Sequence, residues 1–101
     1  MSETIEKLVK TIKSRKRNNV KSSYTSFLLS KGNDHCLNKL KEEVTELEDA
    51  IKNKKNTVHE TADVIYHLLV TLESAGINFD DIITELKKRE GNSGFEEKKN
   101  R

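Results

Sequence analysis

The stretch LNKLKEEVTELEDAIKNKKNTVHETADVIYHLLVTL, residues 37–72, holds two helical patterns separated by a short polar break. Leu37, Leu40, Val44, Leu47 and Ile51 recur at three- and four-residue intervals, and so do Val58, Ala62, Ile65, Leu69 and Leu72. That spacing lays each set along one face of an α-helix. Asn53 to Asn56 breaks the pattern, and Thr57-Val58-His59-Glu60 has the form of a capping box that opens the next helix. A break this short predicts two antiparallel helices with their apolar stripes facing each other.

Working outward, Ile5, Leu8, Val9 and Ile12 make one short helical stripe near the N-terminus. The segment SSYTSFLLSKG, residues 22–32, reads as a helical turn or two with Gly32 as a left-handed cap. Asn33 or Asp34 is then placed to cap the long helix that follows. On the C-terminal side, Ala75 to Asn78 stops the 57–74 helix, and Asn78 with Asp81 starts another whose buried side is Phe79, Ile82, Ile83 and Leu86. The tail GNSGFEEKKNR, residues 91–101, reads as a loop with at most a short helical end. No strand-like alternation and no proline interrupts this pattern. The fold class expected is all-α.

A chain of 101 residues is expected to form a single domain, residues 1–101. Its apolar fraction is 33% against 36% charged, and it has no tryptophan, so its core is thin. A second copy of the chain is expected to complete an antiparallel helical bundle. The net charge of +2 is too small to imply nucleic-acid or membrane binding. The basic run KSRKR, residues 13–17, suits a solvated helix end whose cations complement the helix dipole. Cys36 stands alone, there is no uninterrupted apolar leader, and the longest apolar run is far short of a membrane span. A cytoplasmic location is expected.

Charge raises the functional question. Glu42, Glu43, Glu46, Glu48 and Asp49 crowd ten residues of one helix, and like charges at three- and four-residue spacing destabilise it. Glu43 and Glu46 share one face of that helix, and Glu60 and Asp63 share one face of the next. Ordinary readings exist: Lys39 lies four residues before Glu43, and Glu60 could serve only its capping box. Yet Glu46 has Glu42, Glu43 and Asp49 at its helical neighbour positions with no cation among them, and no Lys or Arg lies between Thr57 and Ser74. Antiparallel packing would bring all four carboxylates to one cleft, where they repel unless a cation is bound. All-oxygen ligation selects Mg²⁺, with Mn²⁺ possible, and a protein-held Mg²⁺ with open positions suits phosphate chemistry.

The pattern Glu-Glu-x-x-Glu followed by Glu-x-x-Asp, here EEVTE (residues 42–46) and ETAD (residues 60–63), resembles the MazG-like all-α nucleotide pyrophosphohydrolases. SYTSFLLSKG (23–32), ADVIYHLL (62–69) and the 91–101 tail narrow the resemblance to the phosphoribosyl-ATP pyrophosphatase family. It runs from about Ser23 to the C-terminus; the first twenty or so residues match less distinctively. Lys41 stands where the family commonly has Gly, and His59 where an additional acid often precedes the second motif.

The resemblance implies Mg²⁺-dependent hydrolysis of phosphoribosyl-ATP to phosphoribosyl-AMP and pyrophosphate, the second step of histidine biosynthesis. It implies Glu43, Glu46, Glu60 and Asp63 as metal ligands. Glu42 beside them is the candidate to accept or orient the water's proton, or is a solvated helix acid. His67 is either a phosphate or ligand-supporting contact or a polar residue at an interface edge. Lys31, Lys39, Arg89, Lys98 and Arg101 are placed on the substrate's phosphates, with Ser93 and Gly94 as tail donors. Thr25 is a helix cap or a substrate contact, and Tyr24 either stacks on a base or fills the small core.

So large a substrate predicts a homodimer, each site closed by the partner chain or its C-terminal tail. A phosphoribosyl-AMP cyclohydrolase, fused in some relatives, is a candidate functional partner. Three other readings stand beside this one: a MazG-like enzyme that clears non-standard nucleoside triphosphates, a non-enzymatic helical module whose acidic face binds a basic partner, and, more weakly, nucleic-acid binding through KSRKR (residues 13–17).

Overall fold

The computed structural model describes residues 2–16, 18, 21–92 and 94–99. Among these residues every regular element is helical: α1 (Glu3–Arg15), α2 (Tyr24–Lys31), α3 (Asn33–Asn53), α4 (Thr57–Ser74), α5 (Phe79–Lys88) and α6 (Gly94–Lys99). The all-α reading holds, and the two long helices form the antiparallel hairpin that the sequence predicts.

Each start and stop has a local cause. The Ser2 hydroxyl accepts from the amide of Thr4 to open α1, and Ser23 accepts from Ser26 to open α2. Thr25, expected as a cap, instead shares a hydrogen bond with the Tyr66 hydroxyl. Gly32 ends α2 at φ 87 and ψ −178. This is not the left-handed helical cap expected but an extended, positive-φ conformation essentially reserved for glycine. One residue therefore serves as both the end of α2 and the N-cap of α3. Neither Asn33 nor Asp34 caps α3; Asn33 Oδ1 accepts from the Ser74 hydroxyl at 2.6 Å and ties the two open ends of the hairpin together.

Two helix ends share one device. At the end of α4, the Ile77 amide bonds to Leu72 O and the Gly76 amide to Glu73 O, with Gly76 at φ 75. At the end of α3, the Lys55 amide bonds to Ala50 O and the Lys54 amide to Ile51 O, with Lys54 at φ 54. Both are Schellman motifs, the second with lysine in the position that favours glycine. The N-cap of α4 is Asn56, not Thr57. The Thr57 hydroxyl donates to Ala50 O at 3.4 Å, so the expected capping box does not form.

The hairpin's register is set at both ends. Thr57 meets Ala50 at the closed end, and near the open end the Thr71 hydroxyl, which donates to His67 O at 2.7 Å within α4, lies 3.3 Å from Cys36 O. The seam of α3 facing α4 is therefore Cys36, Leu40, Glu43, Leu47 and Ala50, not the apolar stripe read from the sequence. Half of that stripe faces outward. Leu37, Val44 and Ile51 of α3, and Val58, Ile65 and Leu68 of α4, each sit one residue past a seam position and are exposed. One residue is a 100° turn, and antiparallel helices carry that turn to the same side, so these six share one face of the hairpin.

The packed core lies elsewhere, where α1 and α2 meet the open end of the hairpin. Ile12, Leu28, Cys36, Leu69 and Val70 form it, with Leu8, Val9, Tyr66 and Phe79 packed around them. Lys13 and Lys16, from the basic run, reach Glu73 at 3.2 and 3.8 Å and tie α1 to α4. Arg17 lies outside the described residues. Asn78 caps α5 as expected, accepting from Asp80. The buried side expected for α5 is not formed within one chain: Phe79, Ile82 and Ile83 are half-buried, and Leu86 is 50% exposed. No helix of the described residues is long and apolar enough to cross a membrane.

Candidate active site in the helical seam

The seam changes character toward the closed end of the hairpin. There α3 contributes Glu43 to an inward position and α4 faces it with Glu60. Carboxylate oxygens of Glu43, Glu46 and Glu60 lie within 4.8 Å of one another, and Asp63 joins Glu60 and His59 in a second group of the same tightness. The four acids singled out from the sequence thus meet around Glu60, which belongs to both groups. Glu46, Asp49, Asn53, Lys55, Asn56 and Glu60 line an open cleft of about 320 Å³ beside them.

Electrostatics make the cluster costly for the protein alone. Burial pushes the Glu43 carboxyl above its ordinary value; Glu46 and Asp63 push the same way, and His67 opposes them. Glu60 is raised by burial and then by the charge of Glu46, with His59 opposing. Glu43 Oε2 and Glu60 Oε2 are buried with no hydrogen-bond partner. An unpaired buried carboxylate oxygen costs several times an ordinary hydrogen bond, so both atoms are poised for a ligand.

The ordinary explanations for these acids do not survive. Lys39 does not pair with Glu43; its ammonium is 3.3 Å from Glu42, and that bond raises it. Glu60 does not complete a capping box. Asp63, for which the sequence offered no intrahelical partner, has His59 at 3.3 Å one turn earlier. The signal for that contact in the sequence is a histidine, not a Lys or Arg, four residues before Asp63. Asp49 was missed as a cleft residue, although its place three residues after Glu46 puts it on the same side of α3.

His67 is 94% buried in α4, where its Nδ1 meets Asp63 O at 3.0 Å and its Nε2 has no partner. Tyr66 packs edge-on against it with centroids 5.0 Å apart. Glu42 is exposed and engaged with Lys39, so it does not point into the seam as the buried acids do. Lys31 lies over the Phe27 ring at 5.3 Å. The structure does not gather the tail residues here. The cluster sits in the first turns of α4, whereas Arg89, Gly94 and Lys98 follow its last turn, about 16 Å of helix from Asp63. Arg89 bonds Glu85 at 3.1 Å on α5. Ser93 and Arg101 lie outside the described residues.

An antiparallel helical hairpin with an acidic cluster turned into its seam defines the class: an all-α protein with a carboxylate-rich site. Comparison with known proteins narrows that class. The family model described as phosphoribosyl-ATP pyrophosphohydrolase matches residues 5–90, taking in α1 as well as the hairpin. The chain is 46% identical over 91 residues to the phosphoribosyl-ATP pyrophosphatase of Lactiplantibacillus plantarum, covering 88% of this chain and 86% of that one. It is 42% identical over 99 residues to that of Dechloromonas aromatica, covering 96% and 92%. It is 44% identical over 93 residues to that of Bacillus thuringiensis, covering 90% and 87%. The chain belongs to the phosphoribosyl-ATP pyrophosphohydrolase family.

Proposed function

We propose that this protein hydrolyses phosphoribosyl-ATP to phosphoribosyl-AMP and pyrophosphate, the second step of histidine biosynthesis, with Mg²⁺ as its cofactor. The observation that carries the reading is the pair of unpartnered buried oxygens, Glu43 Oε2 and Glu60 Oε2, inside a cluster that also holds Glu46. The donor set fits the ion: it is all oxygen, partly desolvated and on rigid helices. Glu43, Glu46, Glu60 and Asp63 would hold it. When bound there, Mg²⁺ supplies charge for the polyphosphate oxygens and makes a coordinated water more acidic.

The chain's own residues do the rest. Glu43 is partly buried in the seam with its Oε2 shielded from water, which places the carboxylate before substrate arrives. Asp63 is steadied by His59 on one side. His67, buried against Tyr66, holds its Nδ1 on the Asp63 backbone carbonyl beside the cluster. Lys39, one turn before Glu43, and Lys55 on the cleft wall bring positive charge beside the acids.

The working form is a homodimer. The outward apolar face of the hairpin, Leu37, Val44 and Ile51 beside Val58, Ile65 and Leu68, exposes a patch that a protein in water covers. A partner copy packed there makes a four-helix arrangement. It also gives Arg89, Gly94 and Lys98 a route to the cleft of the other chain, since they do not gather at their own. Residues 1–101 act as one domain, in the cytoplasm, beside a cyclohydrolase that consumes the product.

Pyrophosphate release from phosphoribosyl-ATP, with Mg²⁺ and with a chelator, tests the reading. Wild type is expected to turn over only with the metal, and Glu46→Gln to lose roughly a hundredfold or more in rate. Turnover of non-standard nucleoside triphosphates in preference to phosphoribosyl-ATP would move the assignment to nucleotide clearance. Full activity in the chelator would remove the metal from it.

A further inference from the structure

The chain has five Phe and Tyr residues, and two of them stand together in the open. Tyr24 and Phe27 are 53% and 38% exposed on α2, three residues apart. Their rings stack with centroids 6.3 Å apart and planes 21° from parallel. Burial does not account for Tyr24: it leaves more than half of its surface in water while smaller residues fill the core.

What lies around these rings points to a ligand. His67 meets Tyr24 edge-on at 6.3 Å, and His35 meets Phe27 edge-on at 6.1 Å. Nε2 of each histidine is buried and unpartnered. Two ring nitrogens without partners flanking an exposed aromatic pair are hydrogen-bonding capacity with nothing to satisfy it. The position also neighbours the acidic cluster: His67, which meets Tyr24, stands one helical turn after Asp63 on α4. Lys31, above Phe27, brings a cation to the same edge.

We propose that Tyr24, backed by Phe27 and flanked by His35 and His67, is the platform on which the purine of the nucleotide stacks while its phosphates reach the carboxylate cluster. This rests on the nucleotide reading of the cluster given above. Stacking suits the task because a purine presents a flat π-face to an aromatic ring whatever its substituents. Tyr24 is then a specificity residue: it separates a nucleoside polyphosphate from a bare polyphosphate.

Calorimetric titration of ATP and of inorganic tripolyphosphate, each with Mg²⁺, into wild type, Tyr24→Leu and Tyr24→Phe decides the matter. ATP is expected to bind wild type and Tyr24→Phe about tenfold or more tightly than tripolyphosphate does. In Tyr24→Leu that margin should vanish while tripolyphosphate binding is unchanged. The proposal is overturned if the margin survives in Tyr24→Leu, or if wild type shows none. It is also overturned if the substitution converts a dimer to a monomer by light scattering without altering the margin, since the platform would then be a subunit contact. Loss of the proposed hydrolysis would appear separately, as wild type that binds ATP but releases no pyrophosphate from phosphoribosyl-ATP.

Discussion

Glu43 occupies a position where the helix geometry calls for an apolar residue, facing Glu60 across a seam with neither Oε2 atom satisfied. Both groups are held above the ordinary carboxylate value of 4.5. A group raised on folding contributes stability that is complete below its unfolded value and is lost as pH rises through its folded value. The metal-free protein should therefore melt at lower temperature as pH is raised from about 4.5 toward neutrality. Thermal melts in a chelator check this, and a melting temperature that climbs over that interval refutes it. Mg²⁺ competes with those same protons, so its affinity should rise across the interval. Glu43→Gln removes the buried charge. In a chelator at pH 7 it should melt higher than wild type, and adding Mg²⁺ should raise its melting temperature far less.

At the scale of the element, the closed end of the hairpin is where the chain accepts backbone strain. Lys54 sits at φ 54 in a Schellman motif, and an L-residue in that region costs roughly 1–2 kcal/mol. Glycine would relieve the strain and return about 0.5–1 kcal/mol of it as unfolded-state entropy. Lys54→Gly is therefore expected to stabilise the protein by about 0.5–1 kcal/mol in chemical denaturation. An unchanged or lowered midpoint would show that the lysine side chain contributes more than its backbone costs. Gly32 has the opposite standing: its φ of 87 with extended ψ admits glycine alone. Gly32→Ala should destabilise by more than 1 kcal/mol although no atom lies where the new Cβ would go. That penalty falls on the joint presenting α2, so nucleotide binding should weaken with it.

For the whole molecule, the core lies at one end of the hairpin and the carboxylates at the other, with an apolar face left outside. Val44 is 49% exposed and Ile65 38% exposed, close together on that face and away from the acidic cleft. Light scattering should give a dimer for wild type and a monomer for Val44→Asp with Ile65→Asp, because burying two charges in an apolar interface costs several kcal/mol. Activity should fall with the dimer if tail residues of the partner close each cleft. A monomeric wild type at working concentration would end the dimer proposal.

The sequence alone determined a good deal. Three-four periodicity placed the helices, the short polar break between Asn53 and Asn56 made the two long ones antiparallel, and the crowding of Glu42 to Asp49 with no intrahelical cation around Glu46 exposed the acidic cluster. These are local facts, set by side-chain chemistry and a period of 3.6 residues. The tertiary structure decided which face of each helix turns inward. A stripe that reads as core from its spacing is half outside, because in the register where Thr57 meets Ala50 and Thr71 meets Cys36 it is Glu43 and Glu60 that face the seam. It also decided which neighbour takes a shared charge: Lys39 goes to Glu42, and Asp63 takes His59. Periodicity reports that a helix has a wet side and a dry side; only the packed partner determines where the dry side ends, because an acid that can share a cation is stable where an unpaired one is not.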